Sequence, residues 1–250
     1  MATNREKVEI KVEMRKASFA SRSEAGRYAA EQRWKNNRKK TTAKKPAPKK
    51  SVPKKSEAKS KLTGKPTVVT QKEWDEIRDN WRNKLDNFGF YTQDNILQSL
   101  EDYQSDIANI GYKSINGFLR GTIKNAKAKE AAVLMQKSFE QSATPLPTDA
   151  IVYRGLKIEK PLEVGQTFSD KGFTSTSSKS SIASRFARMK GSKGKKAVLK
   201  ILAPKGTKVI AAMRYENEII FNTKTKFRVV KASKVGEVLE YTVEIIGRGK

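Results

Sequence analysis

The chain has 250 residues, with 53 Lys and Arg against 26 Asp and Glu, and a formal charge of +27 at pH 7. It contains neither cysteine nor histidine, which excludes disulfides, thiolate zinc sites, cysteine nucleophiles, Ser-His-Asp catalysis and most transition-metal centres. Its chemistry has to come from carboxylates, arginine, lysine, hydroxyls and a bound cofactor, on a chain long enough for one or two domains with a real core.

The positive charge is unevenly spread. Residues 1–70 carry 21 basic and 6 acidic side chains, a net of +15, and the remaining 32 basic and 20 acidic residues leave +12 on 71–250. Such an excess predicts affinity for polyanions. Residues 1–16 mix charge with Val8, Ile10 and Val12 and contain no signal-peptide core. No apolar run is long enough to span a membrane. The expectation is a protein acting in a bacterial or host cytoplasm, or one delivered by a device that needs no cleavable signal.

Ser21-Arg22-Ser23-Glu24 has capping-box spacing, and the pattern after it predicts a basic helix over 22–38. Residues 39–66 are low-complexity Lys, Pro, Ala, Ser and Thr, too polar to offset their chain entropy by burial. They read as a disordered polycationic linker, either an electrostatic tether for DNA, RNA or an acidic partner or a plain spacer. The chain therefore divides into 1–38, 39–66 and a folded domain over 67–250.

Helical spacing follows. Thr70 is placed to cap a helix starting at Gln71, with Trp74, Ile77, Trp81 and Leu85 on one face. Ile96, Leu97, Leu100 and Tyr103 predict a second helix. Tyr112, Ile115, Phe118 and Leu119 predict a third, ended by Gly121, and Val133, Leu134 and Phe139 a fourth. After Pro145 and Pro147 the pattern changes to strands at 150–155, 172–176, 196–202, 208–212, 217–221, 226–231 and 238–246, with a short helix from Ser180 to Met189. Helices followed by strands imply an α+β fold with a mostly antiparallel sheet.

Three segments carry the candidate chemistry. Arg154 ends an apolar strand and precedes Gly155; its planar guanidinium suits a phosphate or carboxylate, and the glycine allows close backbone approach. In Gly172-Phe173-Thr174-Ser175-Thr176-Ser177, alternation puts the hydroxyls of Ser175 and Ser177 on one face, able to fix a carboxylate. In Met213-Arg214-Tyr215-Glu216-Asn217-Glu218-Ile219-Ile220-Phe221, an extended backbone would aim Glu216 and Glu218 the same way. Each segment taken alone also fits an ordinary strand or strand edge.

Taken in order, these segments resemble the Arg-Ser-Glu class of mono-ADP-ribosyltransferases, which includes arginine-modifying toxins and phage-encoded enzymes. Gly111 to Arg120 is similar to the helical segment before that family's catalytic sheet, and Ala197 to Ile201 to a strand between its Ser-Thr-Ser and Glu-x-Glu segments. The resemblance covers roughly residues 90–246. It implies N-terminal helices packed on a mostly antiparallel two-sheet β core, preceded here by the basic arm.

It also implies NAD as a substrate, no metal, and roles by position. Glu218 would stabilise positive charge developing on the ribose, Ser175 would orient Glu218, and Arg154 would hold the NAD diphosphate. Gly155 would present backbone groups to the nicotinamide amide. Glu216 would align an arginine of a target protein. The loop from Arg188 to Lys196 lies where the family has a flexible loop beside the nicotinamide. Other acceptors and roles remain open at this point: a nucleic-acid acceptor, DNA or RNA bound through residues 1–66, or a virion-associated protein whose transferase fold is secondary.

Overall fold

The computed structural model describes residues 60–104, 111–189, 193–212 and 216–248. The helix expected over 22–38 and most of the linker over 39–66 lie outside the described residues. The last part of that linker does not behave as a spacer. Asp149, buried at the start of the sheet, accepts backbone N–H bonds from Thr63 and Gly64, both at 2.6 Å, and from Lys205 at 2.7 Å. Lys61 N–H donates to Glu244 at 3.1 Å, and Arg228 approaches the same buried carboxylate at 3.0 Å. Residues 61–64 therefore belong with the domain whose start was expected at 67, because they supply donors to two buried carboxylates.

Four helices come first: α1 (Gln71–Leu85), α2 (Phe90–Gln104), α3 (Tyr112–Arg120) and α4 (Ala126–Gln141). Thr70 and Glu73 form a reciprocal capping box at the start of α1. Gly121 ends α3 in the left-handed region at φ 77°, its N–H closing onto Gly117 and Phe118. The buried face of α4 is Ala128, Ala131, Ala132, Met135 and Phe139. Val133, expected to share that face, is 53% exposed. Small alanines let α4 lie close to its neighbours, and an apolar residue off that stripe has nowhere to bury.

The strands are β1 (Thr67–Val68), β2 (Thr144–Pro145), β3 (Ala150–Ile158), β4 (Thr167–Ser169), β5 (Thr174–Ser177), β6 (Lys195–Ala203), β7 (Lys208–Ala211), β8 (Glu218–Phe221), β9 (Thr225–Val235) and β10 (Val238–Arg248). The helix α5 (Ser180–Arg188) sits between β5 and β6. The strand order is β2-β7-β8-β5-β3-β6-β10-β9-β4, with β1 beside β3. Pairing is antiparallel except for β1 with β3 and β6 with β10. Hydrogen bonding runs through the whole order, yet β3 meets β5 at one pair only, Tyr153 with Ser177. The sheet is thus two halves joined at a single seam. β1, β2 and β4 went unpredicted because they are too short for a period-2 signal.

Alternation on β8 shows how the layers stack. Ile219 and Phe221 belong to a core shared with Val152, Leu199, Phe227 and Val243 on the other half-sheet. Ile220, between them, packs with Trp81, Ile115, Phe139 and Phe173 under the helices. The β7–β8 half is therefore buried on both faces, which explains its continuous apolar run. α5 covers the outer face of the second half through Ala183 and Ala187.

A chain beginning at Thr67 should be less stable than one beginning at Ser60. It leaves the Asp149 and Glu244 carboxylates short of their donors, and a loss of about 2 kcal/mol would lower Tm by about 4–8 °C. The Lys205, Gly64 and Thr63 donors hold Asp149 below the usual carboxylate range. Burial pushes Glu244 up, but Ser60, Arg228 and Lys61 together hold it below its ordinary value. Both folded pKa values are depressed, so their contribution is complete above the unfolded value of about 4 and fades as pH falls through the folded values. Thermal melts of both chains should accordingly differ at pH 7 and converge in acid.

Candidate active site

Sheet register places three distant segments in one row. Glu218 on β8 pairs with Ser177 on β5, and Ser177 pairs across the seam with Tyr153 on β3. Arg154 follows Tyr153 directly. The candidate residues therefore sit on both sides of the line where the two half-sheets part.

Glu218 is 6% exposed. The Ser175 hydroxyl donates to its Oε1 in a short hydrogen bond, and Gln104 Nε2, at the end of α2, donates to Oε2 at 3.0 Å. Ser175 pairs with Ile220, so it reaches Glu218 as a diagonal cross-strand neighbour. The main chain of Glu218 is fixed as well: the Trp74 indole N–H donates to its carbonyl at 2.9 Å, and Ala212 N–H does so at 3.0 Å.

Glu216 is placed differently from the sequence expectation. It precedes β8, and Asn217 between the two glutamates is buried in the left-handed region at φ 44°. An extended i, i+2 relation therefore does not apply. The Ser177 hydroxyl holds the Glu216 carbonyl. The Glu216 carboxylate accepts Arg185 Nη2 from α5 at 2.8 Å. The two serines do share a face, and each fixes one glutamate, Ser175 by side chain and Ser177 by main chain.

Arg154 lies across the seam. Asp170 accepts Arg154 Nη2 at 3.4 Å and takes a two-pronged contact from Arg120, at 2.9 and 2.6 Å. Burial pushes the Asp170 carboxyl up, but Arg120, Arg154 and the Gly172 N–H outweigh it and hold it below the ordinary range. Among the described residues, Arg154 Nη1 is buried without a hydrogen-bond partner. A buried guanidinium N–H left unmet costs about 1–3 kcal/mol. Arg120 and Arg154 share the Asp170 carboxylate, which leaves the second Arg154 amino group as a donor available to a ligand. That is a fit for the phosphates of a dinucleotide.

Behind this pair, Asn116 on α3 accepts the Phe173 N–H at 2.8 Å and donates to the Tyr103 hydroxyl at 3.1 Å. A Cβ on Gly172 would come within 2.6 Å of the Asn116 side chain. Burial, and then the Glu218 charge, push the Tyr103 phenol well above its usual range, so it stays neutral. Gln104, Trp74, Asp170, Arg120 and Asn116 all support the site and were not singled out from sequence. Their roles depend on tertiary contacts, and no local pattern marks them.

Gly155 has a structural reason of its own. A Cβ there would lie 1.8 Å from the Ala183 carbonyl oxygen, so the close approach it allows is that of α5 and not of a ligand over its Cα. On the β5 side no strand pairs with Gly155, because that pairing stops at Tyr153. In the loop from Arg188 to Lys196, residues 190–192 lie outside the described residues. A separate cavity of about 680 Å³, lined by Lys205, Lys208, Phe221 and Arg248 among others, lies at the far end of β8 and includes none of the candidate residues. Among the described residues no cluster of three or more carboxylates is placed to hold a metal ion, and no helix is long and apolar enough to cross a membrane.

Gly155→Ala should force α5 off β3. We expect a loss of about 1–3 kcal/mol or more from overpacking against backbone, which has no rotamer to yield. Urea denaturation measures it, and a variant of wild-type stability would show that α5 is not seated as described.

The family model described as ADP-ribosyltransferase exoenzyme matches residues 71–245. No curated protein matches the sequence. Among solved structures, the ADP-ribosyltransferase Vis in complex with agmatine, a toxin from Vibrio splendidus, superposes with TM-score 0.54 at 19% identity over 73% of this chain and 88% of that one. The C3 exoenzyme of Clostridium limosum gives TM-score 0.54 at 14% identity over 74% and 98%. Exoenzyme S of Pseudomonas aeruginosa, bound to carba-NAD and a human 14-3-3 protein, gives 0.50 at 18% over 72% and 90%. The match runs from the first helix through most of β10, and the fold it describes is the one the hydrogen bonding builds around Glu218: the chain belongs to the ADP-ribosyltransferase exoenzyme family.

Proposed function

We propose that the chain, as a member of this family an NAD-dependent mono-ADP-ribosyltransferase, transfers ADP-ribose to arginine of a target protein. The observation that carries this reading is the Glu216–Arg185 contact: the Glu216 carboxylate already accepts a guanidinium at 2.8 Å. A carboxylate so placed aligns a guanidinium and offsets its desolvation. The Vis structure, with agmatine bound, holds a guanidinium compound and supports the same acceptor class.

NAD, as donor, supplies ADP-ribose with nicotinamide as the leaving group. Arg154, with its unmet Nη1, binds the diphosphate, and Asp170 and Arg120 keep that guanidinium in place. Gly155, on a strand edge open toward the seam, offers its backbone to the nicotinamide amide. Glu218 stabilises positive charge at the ribose from a buried position where the effect of a fixed charge is large. Ser175 and Gln104 hold that carboxylate by hydrogen bonds, so no reorganisation is needed when charge develops. Glu216 positions the acceptor and takes up its proton.

Two variants separate these roles. Glu218→Gln should suppress both nicotinamide release and transfer to agmatine by about 10²-fold or more. Glu216→Gln should abolish transfer while leaving appreciable hydrolysis of NAD, because water needs no guanidinium clamp. Equal loss of both activities in the Glu216 variant would overturn the division of labour. Full transfer by that variant would point to a different acceptor, nucleic acid included.

We further propose, on charge alone, that residues 1–66 bind DNA or RNA as a polyanion tether. Full-length protein should bind duplex DNA or RNA without sequence preference, with a steep log–log salt dependence set by the phosphates contacted. A chain starting at Ser60 should bind more weakly and with a shallower slope. Equal slopes would place the binding on the catalytic domain.

A further inference from the structure

α5 brings an arginine of the protein itself to the acceptor carboxylate. Arg185 Nη2 lies 2.8 Å from Glu216 Oε1, with the Arg185 side chain 61% exposed and that of Glu216 22% exposed. The guanidinium carbon also lies 5.7 Å from the centre of the Phe186 ring, which faces it from the same helix. The helix is pressed onto β3 at Gly155, directly beside Arg154, so Arg185 is carried on an element fixed against the dinucleotide-binding strand. The Glu216 carbonyl is held by Ser177, so both partners of the contact have anchored backbones.

Resting on the arginine reading above, we propose that Arg185 is itself an acceptor: the protein ADP-ribosylates its own Arg185 in cis when no target protein is present. The contact that aligns a foreign arginine already aligns this one. An exposed ion pair of this kind favours contact over solvent by about fivefold at most, so the side chain exchanges freely between Glu216 and solvent. Its effective concentration at the site is nonetheless on the order of millimolar, as for any tethered ligand. Free acceptors below that level compete poorly with it.

The reaction balances without any further reagent. The ribose–nicotinamide C–N bond breaks and its electron pair leaves with nicotinamide. A guanidinium nitrogen of Arg185 forms the new bond to the same ribose carbon. The proton lost from that nitrogen passes to Glu216 and then to water. Arg185 remains a cation and gains a diphosphate. Arg188, one turn further along α5 and also exposed, has no such contact with Glu216 among the described residues and serves as an internal control.

The experiment uses the full chain incubated with NAD alone, followed by peptide mass spectrometry. The expected result is ADP-ribose on Arg185, at a rate per molecule independent of protein concentration. Agmatine should suppress the label in proportion to its own modification. Arg188→Lys should leave the label on Arg185. A measurement without NAD adds a separate test: by calorimetry, agmatine should bind Arg185→Ala up to about fivefold more tightly than wild type, the scale of an exposed ion pair. Agmatine modified while Arg185 stays unlabelled would overturn this proposal and leave the arginine reading standing. A label that scales with protein concentration would move the reaction to a partner copy and overturn it as well. Nicotinamide released with neither agmatine nor Arg185 modified would sink the arginine reading itself.

Discussion

The site depends on one constraint, the single residue pair that joins the two half-sheets. Glu218, Ser177 and Tyr153 lie in one row across β8, β5 and β3, and beyond that row β3 and β5 separate. The two half-sheets part from a common hydrogen-bonded point, and the candidate residues lie beside that point. Arg154 is one residue past the seam on β3. Glu218 is the first residue of β8, next to Ser177. Motifs far apart in sequence converge because register aligns them, and a one-residue slip in β5 would turn Ser175 to the other face.

Much of this could be read from the chain, and the reasons are specific. Long amphipathic patterns gave α1 and α2, since Trp74, Ile77, Trp81 and Leu85 repeat at helical spacing and all bury. Thr70 marked a start, and Gly121 marked an end. The order of Arg154, Ser175, Glu216 and Glu218 identified the family. What escaped was of two kinds. Short strands such as β4 carry too few residues for a period. Supporting residues such as Gln104 and Asp170 act across 114 and 16 positions of sequence, where no local rule operates. The face of α4 was misjudged at Val133 because its core is built of alanines, which a pattern keyed to large apolar residues passes over.

The backbone at Asn217 is where sequence reasoning and structure part most usefully. An extended Glu216-Asn217-Glu218 would set two carboxylates on one face, about 7 Å apart, where each would raise the cost of ionising the other. The left-handed Asn217, a conformation that asparagine tolerates better than most residues, breaks that alternation. Glu218 is then buried, with its carboxylate accepting from the Ser175 hydroxyl and the Gln104 amide. Glu216 is left partly exposed, where it meets the guanidinium of Arg185.

This separation gives the two carboxylates different electrostatic work. A buried charge held by fixed hydrogen bonds acts strongly on a cation that forms beside it, because little water screens it and its donors need not move. The same burial would make it a poor partner for a mobile acceptor, which has to shed water to reach it. A half-exposed carboxylate has the opposite balance: it contributes little to charge stabilisation, but it exchanges guanidinium partners at low cost. One turn residue, placed between two glutamates at the mouth of β8, thereby gives a physical basis to the proposed division of labour, charge stabilisation at Glu218 and acceptor exchange at Glu216. It also explains why an arginine on the neighbouring helix can rest at the second position without disturbing the first.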